Sequence, residues 1–168
     1  MRNRIGWAAM VLGLAALLQA TWIPLGIPEP GRPNLVFLVV ATVAFLGSLE
    51  EGLAWAVGGG LWLDLFSGGP LGVSALALLA VVPLAHGLSR PVFRGRLVMP
   101  AAVAAGGTLL MEGVRGILLA VLQYPVDPGY ALRQVIGPEI LWNTLGMLAL
   151  YPALRRLRPR PERPELGG

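Results

Sequence analysis

The sequence predicts an all-α integral membrane protein of six transmembrane helices, on three observations. Hydrophobic residues make up 55% of the 168 positions and charged ones only 13%, about half the roughly 25% charged share of a soluble domain. Six apolar runs are separated by proline, glycine or charge. The arginines gather on alternate connectors, as they do when a chain crosses a membrane repeatedly.

The runs are Ile5–Ile23, Leu35–Leu49, Gly52–Phe66, Val73–Leu88, Leu97–Leu122 and Val135–Leu154. A helix needs about 20 apolar residues to cross the hydrocarbon, with about 17 as the lower limit, so the second, third and fourth are short. The stretch from Pro33 to Phe66 is nevertheless too long for one crossing. Glu50-Glu51 is its only charged break, which predicts a tight hairpin turning there. Residues 1–154 thus read as one six-span domain. Residues 155–168 read as a basic, proline-rich cytoplasmic tail without fixed structure.

Direction follows from the arginines. Arg2 and Arg4 precede span one, Arg90, Arg94 and Arg96 lie between spans four and five, and Arg155, Arg156, Arg158, Arg160 and Arg163 follow span six. With six spans all ten share one side, against Arg32 and Arg133 on the other, and the positive-inside rule puts both termini in the cytoplasm. The formal charge of +4 is therefore a topology signal, not a nucleic-acid footprint. Arg2, Arg4 and the first run also fit the start of a signal peptide, but Leu18-Gln19-Ala20 lacks a small residue at the −3 position. Trp7, Trp22, Trp62, Tyr124 and Tyr130 fall near span ends, where amphipathic rings settle.

Ionisable residues inside the spans are the candidate site. Counted from the cytoplasmic turns at 1.5 Å per residue, Asp64 lies about 20 Å up, Glu112 about 22 Å and Arg115 about 27 Å. Glu139 enters span six from the outside and reaches the same layer. Glu112 and Arg115 are also spaced i,i+3, on one helix face. One reading is a buried network of Asp64, Glu112, Arg115 and Glu139 with Arg115 as its cation. Asp64 needs that cation, because the macrodipole at the C-terminal end of its helix disfavours an anion. A second reading has these groups snorkel to head groups or water, and a third makes them a proton or substrate path. Ala54-x-x-x-Gly58, Ala56-x-x-x-Gly60 and Ala102-x-x-x-Gly106 would let helices approach closely.

Several chemistries lack their residues. Gly68-Gly69-Pro70-Leu71-Gly72 is not followed by the Gly-Lys-Ser/Thr of a phosphate loop. His86 is the only histidine, no histidine shares the depth of Ser67 or Ser74, and the chain has no cysteine. Neither an enzyme nor a cofactor or metal site is expected, and no basic patch interleaved with aromatics suggests nucleic acid.

Pro33-Asn34-Leu35 opening a span, followed by Gly60-Leu61-Trp62-Leu63-Asp64-Leu65-Phe66-Ser67-Gly68-Gly69-Pro70-Leu71-Gly72, resembles the MreD family of bacterial rod shape-determining proteins. That family shows a Pro-Asp/Asn-Leu start and a Gly-Leu-x-x-Asp-x-x-Ser-x-x-Pro-Leu-Gly block between spans three and four. Asn34 stands where aspartate is frequent, and both residues cap helices. Glu112, Arg115 and Glu139 match no family motif. The resemblance implies an architecture similar to the substrate-binding component of energy-coupling-factor transporters. It also implies a non-enzymatic part of the cell-elongation complex in the bacterial inner membrane. Its partners would be a single-span MreC-like protein, with a RodA-type glycosyltransferase, a class B penicillin-binding protein and the MreB filament nearby.

Pro24–Pro33, Ser67–Gly72 and Tyr124–Gln134 are candidate contact loops on the external side, or simply helix terminators. The alternative function is the substrate-binding subunit of a vitamin-like transporter, which calls for a pocket with several convergent polar groups. A membrane protein with some other partner is the third reading.

Overall fold

The computed structural model describes residues 2–21, 26, 31–89, 98–125 and 127–157, excepting the side chains of residues 2–5, 154 and 157. Trp22, Pro24, Arg90, Arg94, Arg96 and the tail beyond Leu157 lie outside the described residues. Among those described, six helices form and no strand: α1 (Arg2–Thr21), α2 (Leu35–Leu46), α3 (Leu49–Ser67), α4 (Val73–Gly87), α5 (Val98–Val121) and α6 (residues 128–157). The last comprises a short turn Pro128–Tyr130, a π stretch Ala131–Ile136 and an α-helix Gly137–Leu157.

The centre of the bundle is α2. Its sequence, Leu-Val-Phe-Leu-Val-Val-Ala-Thr-Val-Ala-Phe-Leu, is apolar on every face, and nine of its 12 residues are buried. A helix apolar all round has no face suited to water. The other five helices follow one another around it in the order α1, α3, α4, α5, α6, each touching both α2 and its neighbour in the ring. At 12 residues α2 is only about 18 Å long; its N-cap Asn34 is buried, while its other end leads into the exposed turn at Ser48. By contrast α5, with 24 residues, is long and apolar enough to cross a membrane.

The hairpin between α2 and α3 turns at Gly47-Ser48, not at Glu50-Glu51 as the charge break suggested. Ser48 caps α3, its hydroxyl accepting the Glu51 N–H at 3.2 Å. Both glutamates then occupy the first helical turn, where the macrodipole favours anions. The Ser-x-x-Glu spacing of a capping box was present in the sequence and outranks the charge break as a boundary signal.

Helix α6 starts at Pro128, seven residues ahead of the expected run, and its π turn has a local cause. Pro138 has no N–H to donate, and its ring crowds the carbonyl four residues earlier. The Gly137 N–H instead reaches back to the Leu132 carbonyl, an i−5 bond. Gly31 enters the bundle at φ +89°, packed against the Pro138 ring, so a side chain there is excluded both by φ and by space.

The exterior is apolar like the core, and a few polar side chains are buried within the core. Val121 is 74% exposed, Ile117 66%, Leu65 63% and Leu141 60%, while Asn34, Thr42, Asp64, Ser74, Thr108, Glu139 and Asn143 are all buried. Apolar surface on this scale marks contact with lipid or protein. Close helix approach is strongest between α3 and α4, where a Cβ on Gly60 would collide with the backbone of Ala75. Gly58-Gly59-Gly60 leaves α3 continuous from Leu49 to Ser67. Gly113 on α5, in contrast, has open space around it.

These two glycines make a matched test. Gly60→Ala overpacks the α3–α4 contact and should cost about 1–3 kcal/mol, read as a lower unfolding midpoint of the detergent-solubilised protein. Gly113→Ala should be neutral or stabilising by up to about 1 kcal/mol. Equal behaviour of the two variants would contradict this packing.

Candidate functional site

The polar side chains of the interior form two separate centres. The first is built on Asp64, in the last turn of α3 and 3% exposed. Its Oδ2 accepts the Gly72 N–H at 2.7 Å and its Oδ1 the Ser74 N–H at 3.1 Å. Gly72, the N-cap of α4, has φ +95° and offers no side-chain cap of its own. The carboxylate of one helix therefore caps the next, facing the N–H end of α4 where an anion is favoured. The connecting loop is held as well: Ser67 Oγ lies 3.4 Å from the Asp64 carbonyl as donor and accepts the Gly69 N–H at 3.4 Å.

This corrects the expectation that Asp64 needs Arg115. The unfavourable dipole of its own helix is real, but the free N–H groups of α4 answer it. The four-residue network expected from depth does not form as one unit.

The second centre surrounds the buried start of α2. The first N–H groups of a helix have no partner within it, and here each satisfied donor takes a side chain from a different element. Asn143 Oδ1 on α6 accepts the Asn34 N–H at 2.8 Å, Gln19 Oε1 on α1 accepts that of Val36 at 3.4 Å, and Asn34 Oδ1 accepts that of Phe37 at 3.0 Å. The Asn143 amide donates to Thr108 Oγ1 on α5 at 3.0 Å and to Glu139 Oε1 at 3.4 Å, and Thr108 donates on to the Ala104 carbonyl. Asn34 Nδ2 rests 3.8 Å from the sulfur of Met111.

Glu112, Arg115 and Glu139 adjoin this joint. Arg115 Nη1 stands 3.6 Å from Glu112 Oε1, within ion-pair range but beyond a hydrogen bond. That oxygen is buried without a hydrogen bond. Glu139 is buried, its Oε1 reached by the Asn143 amide. The Arg115 side chain remains 37% exposed. The structure thus pairs Arg115 with Glu112, ties Glu139 to Asn143 and places Asp64 in the other centre.

Of the motif residues, Pro33 precedes the joint, Asn34 caps α2 and Leu35 opens it, while Gly60, Asp64, Ser67 and Gly72 build the α3–α4 junction. Pro70 accepts the Val73 N–H in the turn at 3.5 Å, and Leu71 is exposed. Sequence reasoning missed Gln19, Thr108 and Asn143. Asn143 follows Glu139 by four positions, an i,i+4 pair on one helix face, and that spacing was the available signal. Among the described residues no three His, Cys, Asp or Glu side chains gather as a metal site requires. The His86 Nδ1 is buried without a hydrogen bond, on α4.

An all-helical bundle with an apolar exterior, whose buried hydrogen-bonding side chains are spent largely on helix ends, defines an integral membrane protein held together from within. The chain belongs to the family of the rod shape-determining protein MreD, whose profile matches residues 1–159. That match bears out the resemblance carried by the Asn34 and Asp64 motifs. A search of curated proteins and one of solved structures found no match.

Separate centres predict separate energetics. Asp64→Ala strands two N–H groups that bonded a charged acceptor, bonds worth about 1.5–3 kcal/mol each, and Asp64→Asn should cost less. Combining Asp64→Ala with Arg115→Leu should give the sum of the single effects to within about 0.5 kcal/mol. A larger coupling, measured in a double-mutant cycle of unfolding, would restore the single network.

At the other centre, Asn143→Leu leaves the Asn34 N–H without its acceptor and should cost about 1–3 kcal/mol. Amide exchange at the first turn of α2 should accelerate while the α3–α4 junction keeps its protection. Uniform acceleration in both places would contradict a local role.

Proposed function

We propose that this chain is a non-enzymatic component of the bacterial cell-elongation complex. On this reading it crosses the inner membrane six times with both termini in the cytoplasm and binds a single-span MreC-like protein. It thereby helps direct peptidoglycan synthesis, with a RodA-type glycosyltransferase, a class B penicillin-binding protein and the MreB filament nearby. Membership of the MreD family across residues 1–159 is the observation that carries the proposal. The arginine distribution supports the orientation, with Arg155 and Arg156 exposed at one end of α6 and Tyr130 exposed at the other. The proposal includes a helix arrangement like that of the substrate-binding component of energy-coupling-factor transporters.

The interior supports a role in holding partners more than one in capturing a metabolite. Asp64, Asn34, Asn143 and Thr108 are engaged with backbone and with one another, and a ligand would have to compete with those bonds.

Depleting the protein from a rod-shaped host should turn cells round and wide, and affinity purification from its membranes should recover the MreC-like protein. Rods that persist after full depletion would contradict the shape role. Recovery of an ATPase module with a coupling subunit instead would favour the transporter reading.

A further inference from the structure

We draw no further inference here: the strongest candidate, the outward-facing stripe of small residues Ala102, Gly106, Gly113, Gly116 and Ala120 along α5, is an unpartnered helix face on which nothing in the structure shows what covers it.

Discussion

A helix that begins inside a lipid-clad bundle must find partners for its first N–H groups without help from water, and that constraint organises the fold around α2. In hydrocarbon an unsatisfied backbone group costs several kcal/mol. The centre of this bundle is a short helix whose N-cap Asn34 is buried. Its start is therefore tied to α1 by Gln19 and to α6 by Asn143, and Asn143 reaches α5 through Thr108. Peripheral helices carry the acceptors that the central helix lacks. Hydrophobic packing between helices is weak as a driving force in lipid, so these few directional bonds help fix which helices are neighbours.

The same logic is repeated at α4, with a charge in place of an amide. Asp64 comes from the preceding helix and bridges the loop to the N–H groups of Gly72 and Ser74. A buried carboxylate pays a desolvation cost of several kcal/mol, which two charge-assisted hydrogen bonds and a helix dipole offset in part. Its position over the new helix depends on close backbone approach at Gly60. One glycine and one aspartate four residues later thus set the geometry of the junction, and neither works without the other.

The sequence displayed the helices more clearly than their joints. Apolar runs and arginine clusters are averages over many residues, so single exceptions barely disturb them. The α2–α3 turn depended on a single hydroxyl, and the capping spacing of Ser48 and Glu51 identified it better than the charge break did. For Asp64, counting depth pointed to the wrong partner. Rise per residue gives height within the bundle but not azimuth around it, and azimuth decides whether a carboxylate meets Arg115 or the end of α4. Backbone N–H groups are also invisible to a search for complementary side chains. Asn143 escaped for a related reason: an uncharged amide in an apolar run lowers hydropathy little, yet it makes three of the bonds around the start of α2.

Polar groups engaged in the scaffold would constrain where selectivity could reside for any protein that docked on this surface. Asn34, Thr108, Asn143 and Asp64 are buried and bonded within the chain, so such a protein would meet chiefly apolar side chains. Dispersion contacts with such side chains differ little from contacts with lipid tails, so composition alone distinguishes partner from lipid poorly. Shape has to do so. One part of the exterior with a constrained backbone is the turn at Gly68–Gly72, where positive φ at Gly68 and Gly72 favours glycine and Asp64 holds the N–H groups of Gly72 and Ser74. The interior bonds and the outward geometry are therefore linked at this turn: loosening Asp64 would alter what it presents without touching an exposed residue.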